Sequence, residues 1–137
     1  MPGNAPASYR FENQKGQRFY VLLVDMYQSD ANNHNYFLSY YRQKHLTDAI
    51  AWLCGKPLPA VCNKNPYLYM QTAKGKDGAM AVALFNMNFD EIIEPVITLD
   101  NHYNEIKCLN CKGTLCENKV TLEGEIAPYG VAIFEVK

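Results

Sequence analysis

The run from Arg18 to Tyr27, RFYVLLVDMY, is aromatic and β-branched with apolar residues on both faces, which predicts a strand covered on both sides as in an α/β sheet. Ser29 to Asn35 (SDANNHN) is dense in turn formers whose short polar side chains compete with helix and sheet, so the chain is expected to loop there. Between Phe37 and Cys54, the apolar positions Leu38, Tyr41, Leu46, Ala49, Ile50 and Leu53 recur at mostly helical spacing and predict one face turned toward a core. Arg42, Gln43, Lys44 and Asp48 fall largely on the opposite face. Gly55 stands where a left-handed residue closes a helix, and Pro57 and Pro59 prevent continuation.

After Pro59 the pattern changes to short apolar runs divided by turn clusters, the signature of antiparallel strands. Strands are predicted at Tyr67–Thr72, Ala79–Met87, Val96–Leu99, Glu105–Leu109, Lys119–Glu123 and Gly130–Val136. Lys74-Gly75-Lys76-Asp77-Gly78 reads as a hairpin loop whose glycines permit positive φ. Pro128-Tyr129-Gly130 opens the last strand. The expected fold is α+β: a mostly antiparallel β-sandwich with an N-terminal strand and one long helix. Residues 1–16, rich in Pro, Gly, Asn and Gln without a period, read as a flexible lead-in. Residues 17–59 form a strand-helix element, and 60–137 the sandwich.

With 137 residues and 48% apolar composition, the chain can build a core without metal or disulfide support. Its formal charge is −1 and its pI about 6.3, which argues against a nucleic-acid partner. The longest apolar run, Ala79 to Phe85, is far short of a membrane span. Met1 to Asn13 lacks the apolar region of a secretory signal, so a cytoplasmic location is expected, with no membrane partner. Five cysteines, an odd number, argue against a secreted disulfide framework and for reduced thiols.

The candidate chemistry is sparse. Cys108-x-x-Cys111, with Cys116 beyond it, has the spacing of part of a zinc knuckle, but His102 is the only nearby candidate for a further ligand. No metal or other cofactor is therefore expected. Nothing local selects a Cys-His pair from His34, His45 and His102 with five thiols, and His45, close to the apolar helix face, reads as a packed or surface residue. Asp90, Glu91, Glu94 and Asp100 cluster as the carboxylates of a glycosidase would, without an apolar pocket to raise one of them. There is no Walker A, G-x-G-x-x-G or G-x-S-x-G sequence. Tyrosine is abundant, at ten residues, with Tyr36, Tyr40 and Tyr41 near the helix start. Tyr67 and Tyr69 share one face of a strand with Leu68 and Met70 on the other, so the two rings could contact a sugar or pack beneath a neighbouring subunit. Trp52, one turn before the helix stop, reads as a domain-junction anchor.

Three stretches carry a family resemblance: Ala81 to Ile92 (AVALFNMNFDEI), Glu105 to Asn110 (EIKCLN) and Ile126 to Phe134 (IAPYGVAIF). Together they resemble the small C-terminal β-sandwich of bacterial glycoside hydrolases, in particular the family 42 β-galactosidases. Arg18–Tyr27 and Phe37–Gly55 are similar to the last strand and helix of the flavodoxin-like domain that precedes that sandwich. The family's catalytic glutamates lie on an (α/β)8 barrel to which nothing here corresponds, so the resemblance carries over no catalytic residue. It implies a non-catalytic accessory or assembly domain. A carbohydrate-binding module using Tyr67 and Tyr69 is the alternative, and a small hydrolase a second alternative. An unpaired edge on the first strand would favour a homo-oligomer; a carbohydrate or a glycoside hydrolase is the other partner the resemblance implies.

Overall fold

The computed structural model describes residues 8–23, 40–63, 65 and 67–137. The turn cluster Ser29–Asn35, the expected first strand beyond Leu23, the helix start at Phe37 with Leu38, and His34 and Tyr36 lie outside the described residues. The chain divides into two compact units, Met1–Pro57 and Leu58–Lys137.

The first unit contains strands β1 (Ser8–Glu12) and β2 (Arg18–Leu22) and helix α1 (Tyr40–Cys54). β1 corrects the expectation of an unstructured lead-in. In SYRFE, Tyr9 and Phe11 alternate with Ser8, Arg10 and Glu12, the period of a half-buried strand, and Asn13 closes the hairpin by accepting from the Lys15 and Gln17 amides at 2.9 and 3.0 Å. β2 is likewise not the doubly covered strand of an α/β sheet, since it pairs antiparallel with β1, Tyr9 opposite Val21 and Phe11 opposite Phe19. The Phe11 and Phe19 rings stack at 4.9 Å.

The helix stop is a Schellman motif. Lys56 N–H donates to Ala51 O, Gly55 N–H donates to Trp52 O, and Gly55 takes φ +69°. The helical face differs from the expected one, because Tyr41, Ile50 and Leu53 are exposed and, among the described residues of that set, only Ala49 is buried. The hairpin face that meets α1 is polar, so polar and aromatic groups make the contact. Tyr20 Oη and Ser8 Oγ both hydrogen-bond to His45 Nε2, and the Arg10 and Arg18 guanidinium groups lie 5.7 Å from the Trp52 ring centre. Trp52 thus joins helix to hairpin within this unit, where a domain-junction anchor was expected.

The second unit is the antiparallel sandwich. One sheet has the order β3-β7-β10-β9: β3 (Ala60–Asn63), β7 (Val96–Leu99), β10 (Lys119–Glu123) and β9 (Lys112–Cys116). The other has the order β4-β5-β12-β8: β4 (Leu68–Lys74), β5 (Met80–Asn86), β12 (Val131–Val136) and β8 (Ile106–Cys108). A short pair, β6 (Ile92–Ile93) with β11 (Glu125–Ile126), closes one end. Inward residues alternate along every central strand, so Met80, Val82 and Leu84 face Ala132, Phe134 and Val136 within one layer and meet Ile97, Leu99, Val120 and Leu122 of the other. The β4–β5 loop turns through Gly78 at φ +86°. β3, β6, β9 and β11 were not expected from the sequence. β9 (KGTLC) has too few apolar residues to register as a strand, although its Leu115 packs on the core and opposes Val120.

Asn86 is the one polar residue among the described residues with no exposed surface. Its Nδ2 donates to Asp90 O, Ile126 O and Ala127 O at 2.8, 2.9 and 3.1 Å, and its Oδ1 accepts from Asn88 N–H at 2.9 Å. One amide therefore ties the end of β5 to the segments on either side of the β6–β11 pair. Asn86→Ala would remove this side-chain partner from all four backbone groups, of which Ala127 O keeps the Gly130 N–H, at about 1–3 kcal/mol for each one left unsatisfied where water cannot reach. Urea denaturation is expected to show a loss of about 3 kcal/mol or more, and Asn86→Asp, which aims an acceptor at three carbonyls, a loss at least as large.

Candidate functional site

The two outer faces of the sandwich differ in chemistry. On the β3-β7-β10-β9 sheet, the outward positions include Asn63, Thr98, Lys119, Thr121, Thr114 and Lys112, and Asn63 Nδ2 donates to Thr98 Oγ1 at 2.9 Å. Val61 and Val96 also lie on this side, so the face is mixed but mostly polar. On the β4-β5-β12-β8 sheet, the outward rows read Tyr69-Phe85-Val131, Gln71-Ala83-Ile133 and Ala73-Ala81-Glu135-Lys107. Leu109 extends the second row, because its N–H donates to Ile133 O at 2.9 Å. Apart from Gln71 at one margin and the Glu135-Lys107 pair at the other, that face is apolar.

Tyr67 and Tyr69 lie beside one end of this face. Tyr69 is on edge strand β4, 54% exposed, its ring 5.9 Å from that of Phe85 and its Oη accepting from Gln71 Nε2 at 3.2 Å. Tyr67 precedes β4, 37% exposed, and its carbonyl accepts from Met87 N–H at 3.1 Å. Leu68 and Met70 pack on the core from the opposite side of the strand. Exposed Met87 continues the outward positions of β5, and exposed Phe89 and Tyr129 meet edge to face at 5.5 Å. Phe85, Ile133 and Leu109 were missed as surface residues in the sequence, yet a signal was there. Met80–Phe85 and Val131–Phe134 lack the apolar-polar alternation of a sheet with one wet face.

The opposite end of the sandwich holds an open cleft of about 610 Å³ lined by Lys74, Asp77, Asn101, His102, Tyr103 and Lys137. Beside it, Lys74 Nζ donates to Asp100 Oδ2, and Tyr103 Oη donates to Asp100 Oδ1 at 3.3 Å. Lys74 belongs to one sheet and Asp100 follows β7 of the other, so this network ties the layers together. The hydrogen bond to Asp100 holds the Lys74 ammonium above the ordinary lysine range, against the opposing effect of burial. Burial and the Asp100 charge push the Tyr103 phenol up. Asp90, Glu91 and Glu94 are exposed and do not converge with Asp100 on a pocket.

Of the histidines, His45 is engaged by Tyr20 and Ser8, and His102 is exposed at the cleft. No group of three or more His, Cys, Asp or Glu among the described residues could hold a metal ion. Cys54 and Cys116 are exposed, whereas burial pushes the Cys62 thiol up to about 11. Cys111 is also pushed up to about 11, by burial first and then by the facing Cys108 thiol. No helix among the described residues is long and apolar enough to cross a membrane. No protein-family model, curated protein or solved structure matches the chain.

Because the Lys74 value is raised in the fold, the pair's contribution is complete below the ordinary lysine range and is lost as the pH climbs through the raised value. The denaturation midpoint of Lys74→Met should therefore lie below wild type by a constant gap from neutral pH to the lysine range, and the gap should close only above it. Closure near neutrality would assign the effect to another group. Among the thiols, iodoacetamide at mildly alkaline pH should label Cys54 and Cys116 well before Cys62, since the thiolate is the nucleophile. Time-resolved peptide mass mapping checks this order.

Proposed function

We propose that the chain is a non-catalytic accessory module of the kind found in the C-terminal region of glycoside hydrolases, and that its sandwich serves assembly by packing its apolar outer face on a second copy. The observation that carries this reading is the contrast between the threonine-rich face and the Tyr69-Phe85-Val131 and Ala83-Ile133-Leu109 rows. Strands apolar on both sides belong to sheets covered on both sides. The charges at the margin suit a two-fold contact. Glu135 and Lys107 are register neighbours, so a copy turned about a two-fold axis can offer lysine to glutamate and glutamate to lysine.

A second reading, a carbohydrate-binding module, is favoured by the neighbouring Tyr69 and Phe85 rings with Tyr67 beside them, an aromatic surface on which a sugar ring could stack. The hydrolase reading has less support, because Asp90, Glu91 and Glu94 are exposed and Asp100 is tied up by Lys74 and Tyr103.

Light scattering coupled to size exclusion separates the first two. The assembly reading expects a dimer mass that grows with protein concentration, and a monomer for Ile133→Lys with an unchanged circular-dichroism spectrum. A wild-type monomer at every concentration, together with saturable shifts of Tyr67 and Tyr69 resonances on titration with galactosides, would replace assembly by sugar binding.

A further inference from the structure

Cys108 is the last residue of β8 and Cys111 immediately precedes β9, so the C-x-x-C segment spans the corner where the chain passes from one sheet of the sandwich to the other. The two residues between them are fastened to β12. Leu109 N–H donates to Ile133 O at 2.9 Å, Asn110 Oδ1 accepts from Ile133 N–H at 2.7 Å, and Asn110 Nδ2 donates to Val131 O at 2.9 Å. The Asn110 side-chain amide stands in for a strand peptide, offering one acceptor and one donor, so the corner is held without further backbone pairing. With that segment fixed, both cysteines pack against the core, Cys108 opposite the buried Phe134, and the Cys108 thiol is near enough to Cys111 to help push its thiol up. Cys111 Sγ also approaches Ile133 O at 3.4 Å, and it lines a cavity of about 180 Å³ shared with Leu122, Ile126 and Ala132.

We propose that Cys108 and Cys111 are a preorganised dithiol that closes to an intrachain disulfide by exchange with a small-molecule disulfide of the glutathione type, stapling the two sheets at this corner. In the first step one cysteine thiolate attacks a sulfur of the reagent, forming a mixed disulfide and releasing one small thiolate. In the second, the other cysteine thiolate attacks the protein sulfur of that mixed disulfide, forms the Cys108–Cys111 bond and expels the second small thiolate. The two protons lost by the cysteines end on the two released thiols, and the two electrons withdrawn from the protein reduce the reagent. Holding the two sulfurs together makes the second step intramolecular, which favours closure over accumulation of the mixed disulfide. The raised Cys111 value makes the overall rate climb with pH.

The test uses the folded full-length protein, incubated with excess oxidised glutathione at mildly alkaline pH, acid-quenched, alkylated and digested with trypsin. Cleavage after Lys107 and Lys112 isolates both cysteines in one short peptide. The expected product is that peptide lighter by two hydrogens and free of glutathione, reversed by dithiothreitol, in a protein whose unfolding midpoint is higher than that of the reduced form. Cys111→Ser should stop with glutathione retained on Cys108. Glutathione persisting on both cysteines of the native protein, or both thiols remaining open to alkylation after long incubation, would overturn the dithiol. A disulfide formed with no change in midpoint would overturn the staple.

Discussion

Two neighbouring strands, β5 and β12, place Met80, Val82, Leu84, Ala132, Phe134 and Val136 on the inside of the sandwich, all buried or nearly so. Each larger side chain in this set contributes about 1.5–3 kcal/mol by leaving water, and each requires the facing sheet to supply Ile97, Leu99, Val120 and Leu122 in register. That requirement sets the rest of the unit. β4 and β8 flank the central pair with Met70 and Ile106, and β7 and β10 carry the opposing layer. The polar ties sit at the borders of this core: Asn86 at one end, the Lys74-Asp100-Tyr103 network at the other, and Asn110 at the corner between the sheets.

The same two strands explain the chemistry of the outer face. Phe85, Ala83, Ile133 and Val131 are the alternate residues of strands whose other alternates are the core, so the central pair presents apolar side chains on both sides. The opposing layer is mostly polar outward, with threonines and lysines beside Val61 and Val96. Sheet geometry cannot shift this pattern without moving the core residues to the surface, because a one-residue slip exchanges the faces of a strand. The apolar outer face is therefore fixed by the register that makes the core.

Much of this was legible in the residues. Val96–Leu99 and Lys119–Glu123 have the predicted bounds, and the other four expected strands of the sandwich differ by one or two residues at their ends, because runs of Val, Ile, Leu and Phe between turn formers leave little freedom. The helix stop was visible because Gly55 supplies the left-handed residue that a Schellman motif needs. What was not legible depends on partners distant in sequence. β1 is polar at every second position and becomes a strand only when β2 pairs with it, and β9 is recognisable only once Leu115 faces Val120. Tyr41, Ile50 and Leu53 suggested a helix face that α1 does not bury, because the hairpin beside it offers arginine, tyrosine and serine in place of an apolar surface. Tyr67 and Tyr69 were found from their spacing alone, whereas Phe85 stood inside a run that reads as pure core.

The central claim is that the outer face of the β4-β5-β12-β8 sheet is a contact surface. Hydroxyl-radical footprinting at low and high protein concentration tests it residue by residue. The account predicts that Tyr69, Phe85, Leu109 and Ile133 become protected as concentration rises, while exposed Phe89 and the threonine face, Thr98, Thr114 and Thr121, keep their reactivity. Equal reactivity of the Tyr69 face at both concentrations, or protection spread evenly over both faces, would contradict it.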